Sequence, residues 1–248
     1  MGIDVRRAMP ADAAGIARVQ VATWRSTYRG LIPDAYLDAM EEEPRARWWQ
    51  DVIARDAGDD GSSFVVVAVD GDGVPPGGGA GEGDGGGAGW EAGGAGYSEG
   101  SRERGAAAQE DGSRSAEPGR RGGATRKGDA PVETRGQVVG FAAAGPERSG
   151  HPEFRGELGA IYVLKEYQGR GVGRRLVAAV VRELLGRGHG SMLVWVLAQN
   201  PYRRFYESLG GVLVRSRTIE IGGVKLEEWG YGWPDLEGLL RRVEGQGG

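Results

Sequence analysis

Between an apolar run and an amphipathic segment the chain reads Gln168-Gly169-Arg170-Gly171-Val172-Gly173. That spacing suits a backbone that must come close to an anion. Leu158 to Leu164 predicts a buried strand, and Leu176, Val177, Val180, Val181, Leu184 and Leu185 recur on one helical face. The glycines therefore fall at a helix start, where the first N–H groups have no intrahelical partner and the dipole favours negative charge. A phosphate or pyrophosphate is the natural guest. Two groups able to move protons flank this turn: Glu157, at the start of the same strand, and Tyr206, in the downstream segment Asn200-Pro201-Tyr202-Arg203-Arg204-Phe205-Tyr206-Glu207-Ser208-Leu209-Gly210.

Two common phosphate loops do not fit. A dinucleotide fingerprint needs G-x-G-x-x-G and an acidic residue about 20 residues on. Here the glycines run G-x-G-x-G, and the next predicted strand, Ser191 to Leu197, leads into Ala198-Gln199-Asn200 without a carboxylate. The Gly-Lys-Ser/Thr of a P-loop is absent. What fits is Q/R-x-x-G-x-G/A, with Gln168, Gly171 and Gly173 at its fixed positions. This resembles the acyl-CoA signature of the GCN5-related N-acetyltransferase (GNAT) family. The Asn200–Gly210 segment is similar to the family's second landmark, an Asn followed by a helix with Phe-Tyr-Glu-x-x-Gly. Its Asn and Tyr stand one residue closer together than in many members. Arg6 to Ala14 is similar to the family's first strand and helix entry, and Ala22 to Pro33 to a segment of one bacterial subgroup.

The resemblance implies a fold: an α/β protein with a mixed, mostly antiparallel twisted sheet flanked by helices. Local signals agree. Strands are expected at residues 3–8, Ser63–Asp70, Gln137–Ala144, Leu158–Leu164 and Ser191–Leu197. Val212–Ile221 and Val224–Gly232 flank Gly222-Gly223, a strong hairpin signal. Helices are expected from Ala11 to Thr27, from Pro33 to Met40, from Pro44, and from Pro234. Asn200 and Pro201 read as N-cap and first helical residue of another.

About 22 of the 48 glycines fall between Gly71 and Gly136, and Pro75 to Ala130 holds no Ile, Leu, Val, Met or Phe. Such a stretch buries too little apolar surface to offset its ordering entropy. It is read as a Gly-rich disordered insertion, 71–136, at a hairpin tip between the second and third strands. The organisation expected is one GNAT domain over 1–70 and 137–240, this insertion, and a flexible tail over 241–248.

Composition narrows the function further. The net charge is −4, with no cysteine and two histidines. No basic excess points to nucleic acid or a membrane surface. Thiolate chemistry is excluded, no metal is expected, and no apolar run approaches the roughly 18 residues of a membrane span. The start of the chain lacks a signal-peptide core, so the cytoplasm is the expected compartment. A homodimer stays open.

The resemblance implies transfer of an acetyl group from acetyl-CoA, as co-substrate, to a primary amine of a small molecule, by direct attack in a ternary complex. Backbone N–H groups of Ile161, Tyr162 and Val163 would stabilise the charge developing on the thioester carbonyl. Those of Gln168, Gly169, Arg170, Gly171, Val172 and Gly173 would hold the pyrophosphate, and Asn200 would touch the pantetheine arm. Glu157 is the candidate base and Tyr206 the candidate acid for the departing thiolate. Trp24 and Tyr28, with Tyr36 beside them, are candidates for the acceptor pocket. Two alternatives remain: a protein or peptide N-acetyltransferase, and a non-catalytic acyl-CoA sensor.

Overall fold

The computed structural model describes residues 2–56, 63–71 and 136–245. Its elements are β1 (Ile3–Arg7), α1 (Ala13–Thr27), α2 (Asp34–Asp38), α3 (Glu42–Asp56), β2 (Phe64–Asp70), β3 (Gln137–Pro146) and β4 (Gly156–Val163), then α4 (Val172–Gly186), β5 (Met192–Leu197), α5 (Arg203–Ser208), β6 (Val212–Ile221), β7 (Val224–Trp233) and α6 (Leu236–Gly245). The strands make one mixed sheet in the order β1-β2-β3-β4-β5-β7-β6. Every adjacent pair is antiparallel except β4 and β5, which run parallel across the α4 crossover. This is the GNAT fold.

One irregularity shapes the centre of the sheet. The β3–β4 register passes from Ala143↔Ala160 to Ala144↔Leu158, so Gly159 is an extra residue on β4. A bulge of this kind bends its strand and sharpens its twist. The parallel ladder to β5 stops at the same place. It holds Gly156↔Met192, Glu157↔Leu193 and Leu158↔Val194, although the strands run on to Val163 and Leu197. Beyond Leu158 the two strands diverge. The β5-facing backbone groups of residues 160–163 are thereby released from sheet pairing, while β3 still holds the other edge.

Two layers cover the sheet. On one face Phe141 and Tyr162, opposite each other on β3 and β4, meet Trp49 of α3 and Trp24 of α1. On the other, α4 brings Leu176 over Gly140 and Leu184 over Gly156, where a β-carbon would crowd it. A second, smaller apolar cluster of Phe154, Leu193 and Trp195 lies on the α1 face of the β5–β7 half.

Most expected elements form, with shifted ends. Pro10–Asp12 is a 3₁₀ turn before α1, locked by the Arg6–Asp12 ion pair, rather than its first turn. Asn200 and Pro201 do not open α5, which starts at Arg203. The Asn200 Oδ1 instead accepts from the Tyr202 N–H at 2.8 Å, closing a separate turn. Residues 241–245, expected as tail, continue α6, because Leu236, Leu239 and Val243 recur on one buried face. The Gly222-Gly223 hairpin turn forms with both residues at positive φ (58° and 80°). Among the described residues no helix is long and apolar enough to cross a membrane.

The insertion falls largely on residues 72–135, outside the described residues. Its anchor points are clear. Asp70 pairs with Gln137, so the flanking strands are in register up to the insertion. Gly136, at φ 110°, approaches the Asp70 carbonyl so closely that a β-carbon would collide with it. Closing a longer loop costs only logarithmically more entropy. Replacing Gly73 to Glu133 by a short Asn-Gly turn should therefore leave the melting temperature and acetyl-CoA affinity nearly unchanged. A thermal-shift titration of both proteins checks this, and a loss of several degrees would mean that the segment packs on the core.

Candidate active site

The gap between β4 and β5 beyond Leu158 is the candidate cleft, and most of the expected site residues lie on the elements around it. At one end lies the glycine turn. The Gln168 Nε2 donates to the Val163 carbonyl at 2.9 Å, tying the turn to the end of β4. Gly171 is the residue before α4 and sits in the left-handed region at φ 74°. The helix that follows has no acidic residue in its first turn, as α1 and α5 have none. α2, α3 and α6 carry carboxylates in their first turns, as the dipole favours. α4 has Arg174 and Arg175, with Arg170 just ahead. Arg174 Nη1 is buried with no partner among the described residues. Cations at a helix N-terminus oppose the dipole, so an anion bound between them would relieve both.

On the α4 side of the cleft stands Tyr206 of α5. Its ring stacks near Tyr231 and meets Phe205 and Trp233 edge-on. The side chain is fully buried, and its hydroxyl has no hydrogen-bond partner among the described residues. Burial, and then neighbouring Tyr28, push this phenol well above its ordinary pKa, so it stays protonated. A buried hydroxyl without a partner costs about 1–3 kcal/mol.

Tyr28, at the C-terminal end of α1, reaches from the other face into the same space. Its hydroxyl accepts from Asn200 Nδ2 at 3.2 Å. Burial, and then Glu228, raise its pKa. Tyr28 thus links the two sides of the cleft. Trp24, one turn earlier on α1, is fully buried against the ring of Tyr28, with Nε1 donating to the Tyr162 hydroxyl at 2.8 Å. Tyr36 packs under the β6–β7 turn, close to Gly222.

Glu157 lies on the α1 face, next to the bulge and 6% exposed. Arg148 holds it on both oxygens: Nη2 donates to Oε1 at 2.6 Å and Nε to Oε2 at 3.2 Å, and the Arg148 backbone N–H reaches Oε2 at 3.3 Å. A second buried carboxylate shares this face. Glu228 of β7 is opposite Leu197, four residues along β5 from Leu193, the partner of Glu157. Arg217 of β6 pairs with it, Nε to Oε2 at 2.8 Å, and lies over the Trp195 ring with its guanidinium carbon 3.8 Å from the centroid. Sequence reasoning missed Glu228. The signal was present in Glu227-Glu228: on a strand the two must face opposite ways, so one points inward. Arg148 had no such signal in its Gly-Pro-Ser-rich loop, and Arg174 and Arg217 sit in arginine-rich stretches that read as solvated surface.

Residues 147–219 match the model of the FR47-like protein family. Over 107 residues, 43% of the chain, the sequence is 47% identical to the uncharacterized N-acetyltransferase YuaI of Bacillus subtilis (strain 168), and the match spans 62% of that relative's length. Among solved structures, the PaiA N-acetyltransferase of Thermoplasma acidophilum in complex with coenzyme A superposes with a TM-score of 0.54 at 14% identity, covering 92% of this chain and 98% of that one. YncA of Salmonella typhimurium with its cofactor acetyl-CoA gives 0.52 at 17% identity, covering 95% of each. The fold is that of the GNAT structures, and the stretch that carries the two motifs is similar to the FR47-like family.

Proposed function

We propose that the protein is an N-acetyltransferase that moves an acetyl group from acetyl-CoA to a primary amine of a small molecule, by direct attack in a ternary complex. The observation that carries this reading is the buried Tyr206 hydroxyl, without a partner among the described residues, at a cleft whose far end is a cationic helix N-terminus. Support also comes from YuaI, named an N-acetyltransferase, and from the CoA and acetyl-CoA bound to PaiA and YncA.

The residues fit such a co-substrate. The N–H groups of Gly171 to Arg174, with the guanidinium groups of Arg170 and Arg174, would neutralise a pyrophosphate. The β5-facing groups of β4 released by the bulge would pair with the pantetheine amides, and one N–H among Ile161, Tyr162 and Val163 would polarise the thioester carbonyl. Asn200, already engaged with Tyr28 and Tyr202, would line the arm and hold Tyr28 in place. Tyr206, kept neutral by burial, would donate its proton to the departing sulfur. The α1 face, with two buried carboxylates beside Trp195, favours an acceptor that carries positive charge on an apolar body.

A thiol-release screen tests this directly. Acetyl-CoA is offered with primary alkylamines, polyamines, amino acids and peptides, and free thiol is followed over time. Release with a small amine is the expected result. Release only with peptides would favour a protein acetyltransferase. Tight acetyl-CoA binding without release from any amine would favour a sensor and overturn the catalytic reading.

A further inference from the structure

Two carboxylates are buried on the acceptor side of the cleft, and they are not equivalent. Arg148 occupies both oxygens of Glu157. Glu228 is fully buried, yet both nitrogens that Arg217 brings to it, Nε and Nη2, lie at Oε2, each at 2.8 Å. Its Oε1 has no donor among the described residues. A buried carboxylate oxygen without a donor is costly, and the cost is normally removed by pairing. The sequence supplies an obvious way to avoid it, since a leucine or valine would suit this strand position beside Leu197. What the site lacks is a donor, and an ammonium group is a donor with a proton to give.

We propose that Glu228 is the catalytic base, receiving at Oε1 the proton of the acceptor's ammonium group, and that Glu157 is a positioning residue acting through Arg148. This rests on the acetyltransferase reading and deepens it. The acceptor is then a primary amine that arrives protonated and is deprotonated inside the site. The protons balance. The ammonium gives one to Glu228, which later returns it to solvent. The freed lone pair forms the C–N bond as the C–S bond breaks. The sulfur takes a proton from Tyr206, and the second proton lost by the nitrogen replaces it. The net products are an amide, a thiol and one proton.

The surroundings suit this role. The charged and titratable groups facing Glu228 are Arg217 from β6, Glu157 from β4 and Tyr28 from the end of α1. Burial raises the Glu228 pKa, Glu157 adds to that, and Arg217 opposes it. A carboxylate whose pKa is raised holds an abstracted proton more firmly than an ordinary one. The Glu157 oxygens, by contrast, already accept three hydrogen bonds from Arg148.

The test compares kcat against pH for wild type, Glu228→Gln, Glu228→Asp and Glu157→Gln, using the amine that releases thiol fastest from wild type. Glu228→Gln should lose about 10²–10⁴-fold in kcat. Its rate should keep climbing with pH up to the amine's own pKa, because only free amine reacts, whereas wild type should reach its plateau earlier. Glu228→Asp, which keeps the carboxylate, should recover part of the loss and the early plateau. Glu157→Gln should lose less than tenfold and keep the wild-type profile. Acetyl-CoA titrations and melting curves establish that each variant is folded. Should Glu228→Gln fail to fold, the Asp variant and the wild-type plateau decide. A wild-type rate that tracks free amine to its pKa overturns the proposal, as does a folded Glu228→Gln with the wild-type profile. A wild type silent with every amine removes the acetyltransferase reading itself, and this assignment with it.

Discussion

Tyr206→Phe should make the protein slower and no less stable. The two effects have one cause. In the free protein the hydroxyl is buried and bonded to nothing among the described residues. Deleting it leaves the ring, its stacking on Tyr231 and its edge contacts to Phe205 and Trp233 in place. A tyrosine serving only the core would normally cost about 1 kcal/mol when its hydrogen bond is removed. Here no bond is lost, and a desolvation penalty disappears, so the melting temperature should stay or rise. Turnover should fall about 10- to 100-fold, roughly 1.4–2.7 kcal/mol of transition-state stabilisation. A larger loss is not expected, because a free thiol has a pKa near 8.5 and the thiolate can leave without help. Acetyl-CoA affinity should hardly change, since the lost interaction strengthens only as sulfur gains charge. Melting curves, a binding titration and steady-state kinetics on the same variant decide. Lower stability with intact turnover would return Tyr206 to the core.

That pairing of a stability gain with an activity loss is the mark of a group retained against packing. Sequence alone did not carry it. Phe205-Tyr206-Glu207 announced a helix in which an aromatic residue must be buried, and the motif resemblance pointed to Tyr206. Whether its hydroxyl would find a partner depends on Tyr28, Tyr231 and Trp233, which come from two distant elements, the end of α1 and β7. The same holds for the carboxylates. Glu157 was legible from its place at the start of a strand that leads into the glycine turn. Its capture by Arg148 was not, because the Glu147–Arg155 loop is irregular and its path is set by tertiary bonds such as Gly156 N–H to the Ser191 carbonyl.

Fold and site were legible to different degrees for a physical reason. Strands and helices announce themselves through period: the β2 and β5 runs, the α4 stripe, the Gly-Gly hairpin. The cleft is created by a single unpaired residue, Gly159, and nothing in Gly156-Glu157-Leu158-Gly159-Ala160 distinguishes a bulge from a regular strand. Position relative to a bulge decides which face each side chain takes. Gly156 lies on the α4 face against Leu184 and Glu157 on the opposite one, while beyond the bulge Tyr162 returns to the α1 face. Counting alternation straight through Gly159 would put Glu157 and Tyr162 on opposite faces.

Gly171→Val and Gly188→Val form the most discriminating pair for the glycine turn. Gly171 precedes α4 and Gly188 follows it, and both are in the left-handed region, at φ 74° and 81°. At both, an added β-carbon would meet no heavy atom within 4 Å. Each substitution therefore carries the same backbone penalty, roughly 1–2 kcal/mol and more for a β-branched residue, with no steric clash in the free protein. The two variants should lose similar stability. They should differ in binding. If the N–H groups at the start of α4 hold the pyrophosphate, the valine at 171 stands where the phosphate must approach, and acetyl-CoA affinity should fall tenfold or more, about 1.4 kcal/mol or above. At 188, beyond the far end of the helix, affinity should stay at the wild-type value. Thermal shifts read the first quantity and calorimetric titration the second. Equal affinities in two equally destabilised variants would remove the turn from the CoA site, whatever its motif resembles. A loss confined to Gly171→Val would show that the glycine is retained for ligand approach as well as for its φ angle.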